Sequence, residues 1–336
     1  MKFRTDLEWY RPNTSNGKVI VLDGLTGAGK TMLMRLIDCY PEIAAPRFDY
    51  QLEQLCIALA ADKIERDAGT QLLQLLMDQR QYDSKIAREV NFRPRDLSSV
   101  FKSAKKYQYL ARLFKSDQFA KPEDDDKSFF VVHQLLFATK CLSFISGREF
   151  VKILAVRHPF YLFDHWVSYV GLHGNNPKDF TVTVGKPYTT PWFIKENREV
   201  YLDSSVEDRA AIAIAELSKQ QEKYIGADKT LLVVDFEKFV LEPKAYLSNL
   251  ERKMSVSSLS LRTVMKKEHL PRVHINDSKQ LRIYHRYNSH YLTDKLNHKD
   301  DYIYLRKRIS ESVSSRAFRM LQTAASSYED RFGLWF

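Results

Sequence analysis

Residues 18–38 read KVIVLDGLTGAGKTMLMRLID, and the fold is decided by the eight residues from Gly24 to Thr31, GLTGAGKT. Gly24, four residues, then Gly29, Lys30 and Thr31 complete the phosphate-binding P-loop pattern. Ahead of it, Val19, Ile20, Val21 and Leu22 form the apolar, β-branched run of a buried parallel strand. Behind it, Met32, Leu33, Leu36 and Ile37 recur at helical spacing until Pro41 stops them. Strand, glycine-rich turn and helix, in that order, are what phosphate binding needs. The glycines let backbone N–H groups face an anion without side-chain obstruction, and the new helix offers its positive end. Gly24, Thr26, Gly27, Ala28, Gly29, Lys30 and Thr31 are therefore candidate phosphate-binding residues. Lys30 is expected to reach the outer phosphate oxygens, and the Thr31 hydroxyl to face a phosphate or a phosphate-bound Mg²⁺.

A chain of 336 residues, 44% apolar, is long enough for one large domain with a sizeable core. The expectation is a single P-loop domain over residues 1–336, with a helical insertion at about 43–120 and a basic, partly helical C-terminal region at about 251–336. Its class is α/β: a P-loop NTPase-like three-layer α/β/α fold with a central, mostly parallel sheet and additional helices. Cys39, Cys56 and Cys141 have no metal-like spacing, which fits a reducing compartment. The polar start MKFRTDLEWYRPNTSNGK has no apolar signal region, and no window approaches the roughly 18 apolar residues of a membrane span. A soluble, cytoplasmic protein is expected.

Charge is unevenly spread. From Glu251 onward there are 17 Lys and Arg against nine Asp and Glu, whereas residues 1–250 hold 35 against 33. That imbalance points to an anionic partner. No zinc-finger spacing, RNA-recognition signature or long basic tract singles out nucleic acid.

Along the chain, apolar residues at helical spacing make 43–118 helix-rich, with Pro94 expected to start a helix. Lys121–Lys127 reads as an exposed loop. Ser128–His133, SFFVVH, reads as a strand, Leu135–Ile145 as a helix and Phe150–Val156 as a second strand, a parallel crossover. Arg157 follows directly. In open α/β sheets ligands gather at carboxyl ends of strands, so His133 and Arg157 both point to the region of the P-loop. Phe160–Val170 reads as an aromatic-rich helix, the stretch with Gly174 to Pro177 as a loop, and Val206–Ile225 as an amphipathic helix. Thr230–Val234 reads as another core strand, Glu242–Leu250 as a helix and Tyr302–Tyr328 as a final helix.

The order of these parts resembles the sulfotransferases that use 3'-phosphoadenosine 5'-phosphosulfate. A P-loop-like turn comes first, then a strand ending in His133, then a strand running into Arg157-His158-Pro159 before a helix with Ser168-Tyr169, and late the segment DFEKFVLEPKAYLSNL. The resemblance covers residues 18–37, 128–170 and 230–250. It implies that the turn Gly27–Thr31 holds the 5'-phosphosulfate, that Arg157 and Ser168 hold the 3'-phosphate, and that His133 is the base for an acceptor hydroxyl on a glycan or small metabolite. Lys30 joins His133 as a catalytic candidate, because a developing negative charge needs fixed positive charge beside it.

Two departures keep alternatives open. Ser168 follows Arg157 by 11 residues where the family usually has about eight, so His165 is the other candidate for the helix phosphate contact. Lys30-Thr31 is the pairing found in ATP-using enzymes, where the lysine neutralises β/γ-phosphate charge and the hydroxyl binds Mg²⁺. An ATP- and Mg²⁺-dependent small-molecule or sugar kinase is thus the alternative, with Thr31 on the metal. A nucleotide-binding regulatory protein without chemistry is a third. No Asn-Lys-X-Asp signature points to guanine.

Overall fold

An uninterrupted β-branched run has nowhere to go but the core: β1 (Val19–Gly24) is buried at all six positions. The computed structural model describes residues 8–12, 17–96, 98–115, 127–133, 136–173, 179–256, 262–275 and 297–336. The expected loops at 121–126 and 174–177, and Leu135, lie outside the described residues.

After β1 come α1 (Lys30–Ile37), β2 (Arg47–Phe48), α2 (Tyr50–Ala60), α3 (Arg66–Lys85), α4 (Lys106–Arg112), β3 (Ser128–Val131) and β4 (Phe150–Val156). Then follow α5 (Pro159–Gly171), the strands β5 (Thr183–Val184) and β6 (Thr190–Pro191), α6 (Arg198–Leu202), α7 (Val206–Ala227) and β7 (Leu232–Asp235). The chain continues with α8 (Phe236–Leu241), α9 (Pro243–Met254), α10 (Arg262–Lys267), α11 (His298–Ser312) and α12 (Ser315–Phe332). Five strands form one sheet in the order β2-β3-β1-β4-β7. β1 and β3 run parallel from Val19 opposite Ser128 to Leu22 opposite Val131, and β2 joins β3 in parallel through Arg47 and Phe48. β5 and β6 pair separately and antiparallel. The class is α/β, a mostly parallel central sheet with flanking helices.

The described chain divides into two compact units: residues 1–23, 30–154 and 249–264 in the first, 24–29, 155–248 and 265–336 in the second. In the first, α2 packs on α3, and the missing side chain of Gly69 leaves the place that Leu59 fills. Asp49 caps α2 by accepting from Leu52 N at 3.0 Å, and its other oxygen takes Arg80 Nε at 3.0 Å. Arg80 continues to Glu89 and, at 2.6 Å, to Gln51, so a buried guanidinium has a partner at every nitrogen named here. In the second unit α7 packs against α5 and α12. Ala210, Ala211 and Ala213 on α7 are small enough for close approach, and Trp166 on α5 and Leu321 on α12 are fully buried. Each fully buried Leu, Ile or Phe contributes about 1.5–3 kcal/mol.

Three expectations need correction. Leu135–Ile145 is not an α-helix: its described part is two 3-10 turns, Leu136–Thr139 and Cys141–Phe144, parted by Lys140 at φ +58°. Phe137 N donates to the Asp23 carboxylate at 2.8 Å, which ties that segment to β1 instead of to a continuing helix. Residues 94–96 are turns, and the nearest helical piece is one 3-10 turn at Val100–Lys102. The final helix is two, because the Ser314 hydroxyl caps α12 by accepting from Ala317 N at 3.3 Å while Ser314 N donates to Asp208 at 2.7 Å. Between the expected strand and the expected helix from Glu242 lies a further short helix, α8, whose first turn Asp235 caps by accepting from Lys238 N at 3.3 Å. Among the described residues no helix is long and apolar enough to cross a membrane.

Candidate nucleotide-phosphate site

The turn from Gly24 to Gly29 belongs to the second unit, and two of its glycines are required by their surroundings. Gly29 has φ +89°, and a Cβ there would overlap the Phe236 ring. Gly27 has φ +90°, with the His165 ring and Leu162 both 3.3 Å from where a Cβ would sit. The turn is then held by its carbonyls. Thr26 O accepts from Trp166 Nε1 at 2.9 Å, Leu25 O from Ala28 N at 3.0 Å, and Gly27 O from Arg157 Nη1 at 3.0 Å. These bonds fix the shape of the turn from inside the second unit, with Ala28 N spent on the turn itself.

Arg157, placed by the end of β4, lies with its guanidinium 4.6 Å above the Phe236 ring. Its Nε is 3.6 Å from Glu237 Oε1. Glu237 is wholly buried, and burial pushes its carboxyl up to about 7, opposed by Arg157 and reinforced by Asp235. Of the two candidates on α5, His165 meets the turn at Gly27, whereas the Ser168 hydroxyl donates to the Asp164 carbonyl of its own helix at 3.2 Å.

Lys30 and His133 belong to the first unit. The Lys30 ammonium donates to the His133 carbonyl at 2.7 Å. Burial pushes the Lys30 amine down to about 8, with Asp23 and Glu53 opposing. Glu53 also accepts from His133 N at 3.0 Å, so one carboxylate serves both residues. The His133 imidazole stacks on Tyr50 at 4.6 Å and 24°, with Nε2 3.2 Å from the Tyr50 hydroxyl. Burial first, then the Lys30 charge, pushes His133 down to about 4, so its ring is neutral near pH 7. Thr31 is half-buried in the first turn of α1. A neutral imidazole can accept a proton, and a buried ammonium can hold negative oxygen. A cavity of about 230 Å³ in this unit is lined by Arg47, Arg80, Glu89, Phe129 and Phe48, among others. The Phe48 ring centroid is 5.6 Å from that of His133.

Within the second unit, then, Gly27, Arg157 and His165 come together; within the first, Lys30 and His133. Gly29 and Lys30 are consecutive in the chain. The sequence did not reveal Asp23, Tyr50 or Glu53. Asp23 adjoins Gly24 and carried a positional signal; Tyr50 and Glu53 reach His133 from α2, with no motif to mark them.

No family model matches the sequence, and no curated protein matches it. Among solved structures the chain is similar to the sulfotransferase domain from the Synechococcus PCC 7002 olefin synthase, at 13% identity over 90% of this chain and 98% of that one, with a TM-score of 0.38. It is also similar to the sulfotransferase domain from the curacin biosynthetic pathway, at 10% identity over 74% of this chain and 77% of that one, again with a TM-score of 0.38. At these values neither likeness bears on function.

Proposed function

We propose that this chain is a nucleotide-dependent group transferase that moves a sulfuryl group from 3'-phosphoadenosine 5'-phosphosulfate to a hydroxyl of an acceptor. The observation that carries the proposal is the hydrogen bond from Lys30 to the His133 carbonyl, which brings a cation and a neutral imidazole together at the end of a parallel strand. The positive φ of Gly27 and Gly29, in a turn that leads into the first turn of a helix, supports a phosphate-binding reading. Gly24, Thr26, Gly27, Ala28, Gly29, Lys30 and Thr31 would hold the 5'-phosphosulfate, and Arg157, with Ser168 or His165, the 3'-phosphate. When bound, the nucleotide supplies an activated sulfuryl group and a phosphate leaving group. His133 would take the proton of the acceptor hydroxyl, with Tyr50 stacked on its ring to fix its orientation. Lys30 would keep positive charge beside the oxygens that gain negative charge. The acceptor is a hydroxyl-bearing molecule, anionic if the basic C-terminal region meets it.

Lys30-Thr31 favours a second reading, an ATP-dependent kinase with Mg²⁺ on Thr31. Thermal-shift measurements with adenosine 3',5'-bisphosphate, ATP-Mg²⁺ and GTP separate the two, since a ligand that binds the folded state raises its melting temperature. Stabilisation by the bisphosphate is expected. Stabilisation by ATP-Mg²⁺ with none by the bisphosphate would replace the sulfotransferase reading with the kinase one.

A further inference from the structure

Two buried carboxyl groups in the second unit are joined by one phenol. The Tyr328 hydroxyl lies 2.7 Å from Asp235 Oδ1 and 2.8 Å from Glu237 Oε2, and all three side chains are buried. A phenol has one hydrogen. It can satisfy one of these oxygens; the other short contact needs a hydrogen from the carboxyl side, since two carboxylates would leave one against the phenol's lone pairs. Tyr328 itself does not ionise, because burial and both carboxyls push it well above the usual phenol range. The proton therefore resides on the carboxyl pair.

The contacts indicate which partner carries it. Burial pushes the Asp235 carboxyl up too, but Asp235 has more bonds that favour its ionised form, from the Tyr328 hydroxyl and, as the cap of α8, from Lys238 N at 3.3 Å. Glu237 has long contacts elsewhere: His158 N at 3.3 Å from each oxygen and Arg157 Nε at 3.6 Å. An ionised Glu237 would draw the guanidinium to about 2.7–2.9 Å. Burial acts in the same direction, pushing Glu237 up to about 7. Arg157 and His158 come from the end of β4, and His158 Nε2 lies 3.1 Å from Glu329 of α12. The Lys238 ammonium turns to Phe332 O, Tyr246 comes from α9, and Arg272 lies 5.7 Å from the Phe236 ring.

We propose that Glu237 is a positioning residue: it shares one proton with Asp235 through Tyr328, and in that state it leaves Arg157 seated on Gly27 O of the phosphate turn. Loss of the proton to solvent takes the pair from one negative charge to two and draws Arg157 toward Glu237, off the turn. Nucleotide affinity then falls as pH rises. This gate rests on the proposal that the turn takes a nucleotide phosphate, and it gives the carboxyl pair a task that the transfer chemistry does not otherwise assign.

The test is calorimetric binding of adenosine 3',5'-bisphosphate to the full chain from about pH 6 to about pH 9, for wild type, Glu237→Gln, Tyr328→Phe and, as a control outside the pair, Tyr302→Phe. Affinity of wild type is expected to weaken about tenfold more than that of Glu237→Gln across the range, with Tyr302→Phe following wild type. Tyr328→Phe is expected to change the slope as well, and it carries the comparison if Glu237→Gln does not fold. Infrared spectra should show a protonated-carboxyl band near neutral pH that Glu237→Gln removes. Parallel slopes in wild type, Glu237→Gln and Tyr328→Phe, or a missing band, would overturn the gate alone. Bisphosphate that binds at no pH would overturn the nucleotide reading and the gate together.

Discussion

The Lys30 ammonium is bonded to the main-chain carbonyl of His133 at 2.7 Å, so the side chain that follows the glycine turn is tied to the backbone of the residue with the neutral imidazole. The Lys30 charge helps hold the imidazole unprotonated, and Glu53 both accepts from the His133 amide and raises Lys30.

Lys30 should take up a proton when phosphate arrives. Its folded-state value is about 8 against 10.5 for an ordinary lysine, so above pH 8 a growing share is neutral until an anion restores the charge. Calorimetry near pH 8.5 in buffers of different ionisation enthalpy is expected to show proton uptake on nucleotide binding, absent in Lys30→Met. Without ligand the unfolded state holds more protons between about 8 and 10.5. Stability should accordingly rise with pH in that window, by up to about 1.4 kcal/mol per unit, and flatten in Lys30→Met.

His133 predicts an acid limb set low. With the imidazole pushed down to about 4, kcat/KM for transfer should hold from neutral pH down to about pH 5 and fall below it, in contrast to an exposed histidine, which titrates near 6.5. His133→Ala is expected to lower transfer about 10²–10⁴-fold while leaving the bisphosphate Kd within about twofold. Unchanged turnover would remove it as the base.

Gly29→Ala should damage the turn at two levels. Its φ of +89° is strained for alanine by about 1–3 kcal/mol, and the new methyl would have to displace the Phe236 ring on which Arg157 lies. A lower melting temperature together with weakened bisphosphate binding is expected; a wild-type melt would mean that the ring yields without resistance.

Arg80→Ala tests the first unit's charge network. Asp49 is buried and shared between Arg80 at 3.0 Å and Arg47 at 3.3 Å. Removing a buried partner usually costs about 3–5 kcal/mol, and the remaining Arg47 contact puts the expected loss at the lower end. Urea unfolding measures it. Arg80→Lys should recover little, because one ammonium cannot reach Asp49, Glu89 and Gln51 together.

What could be read in advance was whatever the chain writes locally. Val19–Leu22, Phe150–Val156 and Leu232–Val234 announce themselves as strands because buried parallel strands are apolar on both faces. Gly24–Thr31 carries its glycine spacing in eight consecutive residues. Arg47–Phe48 could not be read, since a two-residue edge strand has no period to detect. Leu136–Phe144 misled because its apolar spacing suits a helix, and nothing local foretells that Lys140 adopts a left-handed conformation while Asp23 holds Phe137 N. The site divides the same way. His133 and Arg157 stand at strand ends and could be named, whereas Glu53 and Tyr328 act on them, or on their partners, across long sequence separations that no spacing rule spans.

Trp335 lies 5.6 Å from the His158 ring and 5.4 Å from that of Tyr161, while Gly333 takes φ +71° to end α12. The Trp335 indole therefore rests on a histidine whose own backbone amide faces Glu237. Trp335 is thereby a natural reporter: the part of the fluorescence that Trp335→Phe removes should record any disturbance that begins at the buried carboxyl pair, with no label attached.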